Sequence, residues 1–182
     1  VKTSEGSSWQ GSRDTKPAMA IMGPDDLARW VEVLKPYGLG VHAWAIPTGT
    51  DIAKEIEIIS AACSVPGIRS MILDVEPHAG YWKGGRDGAL RLMSGIRQKI
   101  GSAFHLGMSV DPRRNWYSVI APDAWRPYIN SIHPQVYWEL MDRDVEDVLA
   151  ETYVVWGRYG LPIYPVLQAW NVTPEQVKEA QD

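Results

Sequence analysis

Asp74 and Glu76 stand two positions apart in the run MILDVEP (71–77), where a buried strand would ordinarily carry Val or Ile. On extended backbone, residues i and i+2 point to the same face, so both acids look one way while Leu73 and Val75 look the other. Two neighbouring carboxylates suit the cleavage of a glycosidic bond, which needs a protonated acid for the leaving oxygen and negative charge near the oxocarbenium-like centre. A like charge raises the pKa of one member of such a pair. Glu76, nearer the strand end and followed by Pro77, is the expected proton donor. Asp74, one step deeper, is expected to stay ionised and orient the substrate.

The elements that must position these acids repeat along the chain. Strand-like apolar runs occur at 38–47, 70–77, 105–112, 131–138 and 161–170, and the first residues, VKTSEG, resemble the tail of another strand. They recur about every 30 residues, the length of one βα unit. Between them the apolar period becomes helical: Leu27, Trp30, Val31 and Leu34; Ile52, Ile56, Ile59 and Cys63; Leu92, Met93, Ile96 and Ile100; Val145, Val148, Leu149, Thr152, Val155 and Trp156. Pro24 with Asp25 and Asp26, Asp51, and Thr173 with Pro174 and Glu175 supply helix starts.

Strict alternation of strand and helix implies a parallel sheet, either doubly wound or closed into a barrel. Neither GxGxxG nor GxxxxGK[ST] occurs, and KGGRDG (83–88) does not directly follow a strand and reads as a flexible loop. The expected class is therefore α/β, a (β/α)8 TIM barrel, with 1–182 a single catalytic domain showing six of the eight strands. The chain starts without Met and ends inside a helical pattern, TPEQVKEAQD, so truncation at both ends is expected.

A barrel's active site lies at the C-terminal ends of its strands. Counting back from each end gives His42 and Trp44, then Asp74 and Glu76, Asp111, Gln135 and Tyr137, and Gln168 and Trp170. Each is polar or amphipathic where a plain core would be aliphatic, although Tyr, Trp and a satisfied Gln also occur inside cores. Nine Trp and eight Tyr against one Phe suit a partly wet surface such as a sugar face. Trp82, Trp116, Tyr117 and Trp138 fall in segments expected to be loops, where each could equally serve packing.

Composition removes other classes. The formal net charge is -4, with 18 Lys and Arg and 22 Asp and Glu interspersed, so no basic block is present to follow a phosphate backbone. No run approaches the ~18 apolar residues of a membrane helix. The single Cys63 offers neither a disulfide nor a cysteine zinc site and fits a buried apolar position. His42, His78, His105 and His133 show no HExxH or paired spacing, and although Asp74, Glu76 and His78 could be combined around a metal, no cofactor is expected. LGMSVD lacks the closing glycine of a GxSxG elbow. NVT at 171–173 has the form of a glycosylation sequon, but a helix cap at Thr173 explains it better.

VKTSEGSSWQG, YGLGVHAWAIP and MILDVEP are similar, in order and spacing, to the second, third and fourth strands of glycoside hydrolase family 25, the lysozyme-like muramidases. That family shows a Lys-Ala-Thr-Glu-Gly-like second strand, a Gly-x-Tyr-His-Phe-like third and an Asp-x-Glu fourth. The resemblance covers about the first 80 residues. It implies Glu76 as general acid, Asp74 as its acidic partner, Glu5 as the second-strand Glu, and His42 or Trp44 as lining for a sugar cleft. Tyr137 looks more like the sixth-strand Tyr of the chitinase-like family 18. The substrate so implied is an amino-sugar polysaccharide of the peptidoglycan kind, with a secreted or cell-surface setting. A barrel that binds polysaccharide without cutting it, or a chitinase-like enzyme on another glycan, remains the alternative.

Overall fold

The computed structural model describes residues 1–13 and 16–180. The chain is a mixed α/β fold on a seven-stranded sheet of order β2-β1-β3-β4-β5-β6-β7. The strands are β1 (Lys2–Glu5), β2 (Ser8–Trp9), β3 (Val41–Ile46), β4 (Ile68–Val75), β5 (His105–Val110), β6 (Ser131–Val136) and β7 (Val166–Leu167). β2 is antiparallel to β1, and all other pairings are parallel. The helices are α1 (Pro24–Leu34), α2 (Ile52–Cys63), α3 (Gly85–Ile100), α4 (Tyr117–Ile120), α5 (Pro122–Trp125), α6 (Val145–Trp156) and α7 (Pro174–Glu179).

The parallel strands follow one another in sequence order without reversal. A doubly wound sheet reverses at a switch point, so that alternative does not describe this chain. The sheet is open, ending at β2 on one side and β7 on the other, and carries one short antiparallel strand, β2, beyond the six strands expected. β7 is much shorter than the run 161–170 promised. Pro162 and Pro165 have no N–H to give a ladder, and the approach of this segment to β6 begins as a lone bridge between Ile163 and Ile132.

Strand parity divides the sheet into two unlike faces. Ala43, Ala45, Met71, Leu73, Val75, Leu106, Met108, Val110 and Ile132 join Leu27, Ile59, Ala62, Leu92, Met93 and Ile96 of the helices in one buried apolar cluster. Residues of the opposite parity are His42, Trp44, Ser70, Ile72, Asp74, His105, Ser109, His133 and Gln135. A smaller cluster of Val136, Trp138, Val145 and Val148 fastens α6 beside β6. Burying a large aliphatic side chain contributes about 1.5–3 kcal/mol, so the helix-covered face supplies the folding drive and leaves the other face free for polar groups.

The expected caps are present. Asp51 accepts from Lys54 N at 3.1 Å at the start of α2, and Thr173 and Gln176 form a capping box on α7, which accounts for NVT. KGGRDG is not a loop throughout, because α3 begins at Gly85 within it. Its entry is held by Gly49 in the left-handed region at φ 72°, where an added Cβ would lie 2.6 Å from the Gly84 backbone. Cys63 is buried and free, and burial pushes its thiol up to about 12, as expected for an inert core residue.

Glu55, on the first turn of α2, is completely buried. Its carboxylate accepts from Thr48 Oγ1 at 2.7 Å, Thr48 N at 3.2 Å and Gly49 N at 3.0 Å, tying the β3–α2 loop to the helix. Glu55→Ala would strand these donors, and an uncompensated buried donor costs about 1–3 kcal/mol. We expect a loss of about 3 kcal/mol, measured as a lower urea midpoint at unchanged slope, with Glu55→Gln losing less.

Candidate functional site

Asp74 is the last inward-facing residue of β4, and Ser109 is its register partner on β5. Glu76 follows the strand, and its carbonyl accepts from Trp82 N at 3.1 Å, which turns the chain at the sheet's C-terminal edge. Gln135 reaches across from β6. Its Nε2 donates to Asp74 Oδ1 at 2.8 Å and to Glu76 Oε1 at 3.0 Å, and lies 3.1 Å from Ser109 Oγ. An amide has two N–H bonds, so the two carboxylates take both and the Ser109 hydroxyl is left to donate to Asp74. Two oxygens on one nitrogen are within about 6 Å of each other, less than the water-holding gap of an inverting carboxyl pair. Both acids stand at the end of one strand and are held by one amide.

The floor beneath them depends on Gly107. An added Cβ there would meet Ile72 Cδ1 at 2.6 Å and His133 Nε2 at 2.7 Å, so the missing side chain lets its neighbours close over β5.

Burial raises the Asp74 carboxyl to about 7, and the charge of Glu76 adds to the rise, while hydrogen bonds from Ser109 and Gln135 and the charge of Lys2 oppose it. This corrects the expectation that Asp74 stays ionised: at this depth, desolvation outweighs its hydrogen bonds, and the deeper acid holds a proton up to neutral pH. Tyr137 and Tyr81 both titrate above the usual phenol range, through burial first and then the negative charges of Asp74 and Glu76, with Glu5 also acting on Tyr81. Tyr137 meets Trp170 edge-on with ring centroids 5.1 Å apart, and Trp170 is 47% exposed.

Other expected site residues lie elsewhere. Trp44 has the right parity but sits one layer lower, beside Ile72, with Lys2 Nζ 5.2 Å from its ring centre. His42 is lower still. It pairs in register with Ser70, four residues before Asp74 and so about 13 Å down the strand. Its Nδ1 is 2.7 Å from Ser70 Oγ, and the cavity it lines with Ser70, Ile72, His105 and His133 is at the opposite end of the strands. Counting back from a strand end identified its face correctly and its height wrongly.

Asp111 follows β5 and is buried, with Arg113 Nε on Oδ1 at 3.0 Å and Arg113 Nη2 on Oδ2 at 2.6 Å, so it is already engaged. Gln168 braces the loop after β6 instead of facing the acids. Its Oε1 accepts from Glu139 N at 3.0 Å, and its Nε2 donates to Trp170 O at 3.1 Å. Glu5 ends β1, is bridged by Lys2 at 2.9 Å, and borders a small polar pocket with Thr48, Tyr81 and Lys83.

The aromatic residues expected in loops serve mainly packing. Trp82 is buried against Trp125 at 4.8 Å, Trp138 is buried beside α6, and Tyr117 lies among Trp156, Tyr159 and Arg158. The Trp116 ring lies edge-on to His78 at 5.2 Å. Sequence reasoning missed Ser109 and Tyr81, and it weighed His78 only as a metal ligand. Among the described residues no group of His, Cys, Asp or Glu could hold a metal ion.

No protein-family model matches the sequence, and no curated protein matches it. Among solved structures, the chain is similar to the chitinase domain of the spore coat protein CotE from Clostridium difficile, with a TM-score of 0.57 at 14% sequence identity. The match covers 85% of this chain and 56% of that one, so the chain spans little more than half of that domain's length. At this identity the likeness is one of fold. It is a likeness to a chitinase domain and not specifically to the family 25 muramidases.

The proton on Asp74 gives the site a signature in stability. With a folded pKa of about 7 against 3.8 ordinarily, the folded chain holds a proton that the unfolded chain releases between those values. Wild-type stability should therefore fall as pH rises from about 4 to about 7. Asp74→Asn removes this titration. Relative to wild type, the variant should gain on the order of 4 kcal/mol across that window, read from urea midpoints at about pH 4 and about pH 8.

Proposed function

We propose that this chain is the catalytic part of a glycoside hydrolase acting on an amino-sugar polysaccharide, with Glu76 as general acid and Asp74 as its partner. The observation that carries this reading is the single Gln135 amide holding both carboxylates at the C-terminal edge of a parallel sheet. The sequential strand order and the likeness to a chitinase domain support placing the sheet in a (β/α) barrel whose remaining strands would close it. Alternatives without chemistry are less favoured, because a sugar-binding surface has no use for a buried carboxyl that keeps its proton to neutral pH.

The division of labour follows from the hydrogen bonds. Glu76 Oε1 accepts from Gln135, so the acid proton of Glu76 occupies Oε2, directed to the leaving oxygen. As the glycosidic bond breaks, that proton moves to the departing sugar's oxygen and positive charge develops at the anomeric carbon. Both carboxylates end the same strand and share one amide, so this reading assigns neither of them as a nucleophile. An amino sugar supplies its own nucleophile: the carbonyl oxygen of its 2-acetamido group bonds to the anomeric carbon as the leaving group departs. Asp74 orients that group by accepting the amide's N–H at a carboxyl oxygen while keeping its own proton. Glu76, now a carboxylate, takes a proton from the incoming water, whose oxygen opens the ring intermediate with retention of configuration. Tyr137 and Trp170 form the aromatic wall on which a sugar ring can rest, and Tyr81 offers a second hydroxyl near the acids.

Peptidoglycan and chitin both carry the required acetamido sugar, so each is a test substrate. Glu76→Gln keeps the carboxamide shape and its hydrogen bond but has no transferable acidic proton. It should lower kcat on chitin or peptidoglycan oligosaccharides by ~100-fold to 10,000-fold, while binding to the same oligosaccharides, measured by calorimetry, stays within about threefold. Wild-type turnover in Glu76→Gln would remove Glu76 from the role of acid. Binding by the wild type to these glycans without any cleavage would mark the site as a carbohydrate-binding one.

A further inference from the structure

Resting on this reading of the acid, we propose that His78 is a positioning residue for Glu76, the middle member of an Asp111–His78–Glu76 chain that steadies the acid from the cleft side as Gln135 steadies it from within. Glu76 is held at one oxygen only: Oε1 accepts from Gln135, whereas Oε2 has no hydrogen bond among the described residues. His78 Nε2 stands 4.0 Å from Oε2, and the same nitrogen lies 3.5 Å from Asp111 Oδ2.

The chain has a fixed far end. Arg113 grips both oxygens of Asp111, and Arg113 N adds a third hydrogen bond to Oδ1 at 3.0 Å, so the carboxylate cannot swing away from the imidazole. The near end is fixed by backbone. The turn after β4 is closed by Trp82 N on Glu76 O and Tyr81 N on His78 O, both at 3.1 Å, which sets the two side chains on the same side. Trp116 packs edge-on against the imidazole and limits its rotation. The charged and aromatic groups facing His78 are thus Glu76 from the end of β4, Asp111 and Arg113 from the segment after β5, and the Trp116 ring.

This arrangement assigns His78 a specific task. In the structure His78 Nε2 lies nearer to Asp111 Oδ2, at 3.5 Å, than to Glu76 Oε2, at 4.0 Å. When the Glu76 proton goes to the leaving oxygen, negative charge appears on Oε2, and a small movement of the imidazole gives it a hydrogen bond. His78 therefore favours the ionised form of Glu76, the form produced in bond cleavage and needed for activating water. A residue in this role touches the acid and not the substrate, so its loss should lower kcat more than it changes KM.

The test follows the Glu76 side-chain carboxyl by 13C NMR across pH in the wild type and in His78→Gln, alongside kinetics on chitin and peptidoglycan oligosaccharides. His78 is 39% exposed, so replacement should leave the fold intact, and an unchanged urea midpoint and far-UV CD spectrum serve as the check. His78→Ala provides a second variant. The expected result is a Glu76 titration midpoint raised by roughly half a pH unit or more in both variants. With it we expect kcat reduced about 10-fold, KM within about twofold, and the basic limb of the kcat profile moved upward. Superimposable Glu76 titration curves in wild type and variants would overturn the proposal. If the wild type cleaves none of these glycans, the glycosidase reading fails by itself, while the Glu76 titration still decides the role of His78.

Discussion

One side-chain amide ties this molecule together at its polar edge. Gln135 can satisfy Asp74 and Glu76 simultaneously only if β4, β5 and β6 lie side by side in the observed parallel register, with the odd and even residues of each strand on the correct faces. A carboxamide does not titrate, so the arrangement persists whatever the acids do with their protons. It also explains how two carboxyl groups tolerate such proximity. The amide offers one N–H to each, and the deeper acid relieves the remaining repulsion and desolvation by keeping its proton. The opposing hydrogen bonds are real but smaller than the effect of burial, which is why the carboxyl moves up rather than down.

The same parity governs the rest of the sheet. One set of strand residues is uniformly aliphatic and disappears beneath helices, while the other carries imidazoles, hydroxyls, an amide and an acid. The helices in turn are pinned where they matter to the site. The β3–α2 loop is clamped by the buried carboxylate of Glu55, and Gly49 of that loop approaches the start of α3 so closely that no side chain would fit. The helix-covered face and the clamped β3–α2 loop thus brace the sheet edge that carries the acids.

Much of this was legible in the sequence because it is periodic. Alternation of strand and helix, the helix caps, and the same-face placement of Asp74, Glu76, Gln135 and Tyr137 all follow from spacings of two or of three to four residues. What has no period was not legible. His42 has the parity of Asp74, and only the register with Ser70 shows it to be at the other end of the strand. Ser109 is one small hydroxyl among many until β5 is set beside β4. Tyr81 and His78 lie in an irregular turn whose path is fixed by backbone hydrogen bonds to Glu76 and His78 carbonyls. The proton on Asp74 depends on burial, which emerges only from the packed sheet. The abundance of Trp and Tyr suggested a sugar surface, yet Trp82, Trp138 and Tyr117 were absorbed into packing, because large rings fill the gaps between helices as readily as they meet a ligand.

The two ends of the polar face differ in how their side chains are partnered. At the lower end the histidines satisfy themselves with hydroxyls: His42 with Ser70 at 2.7 Å, and His105 and His133 both with Ser131 at 2.8 and 2.9 Å. Burial and the neighbouring His105 push His133 down to about 4, so it remains neutral over the range in which Asp74 titrates. At the upper edge Glu76 Oε2 has no hydrogen bond among the described residues, and His78 Nε2 stands 4.0 Å away. A carboxyl group fixed firmly at one oxygen and open at the other has one direction in which it can deliver or receive a proton, and here that direction is away from the sheet, toward His78 and the aromatic wall. The lower histidines are thus each tied to a hydroxyl within the sheet, whereas Glu76 Oε2 at the upper edge accepts no hydrogen bond among the described residues.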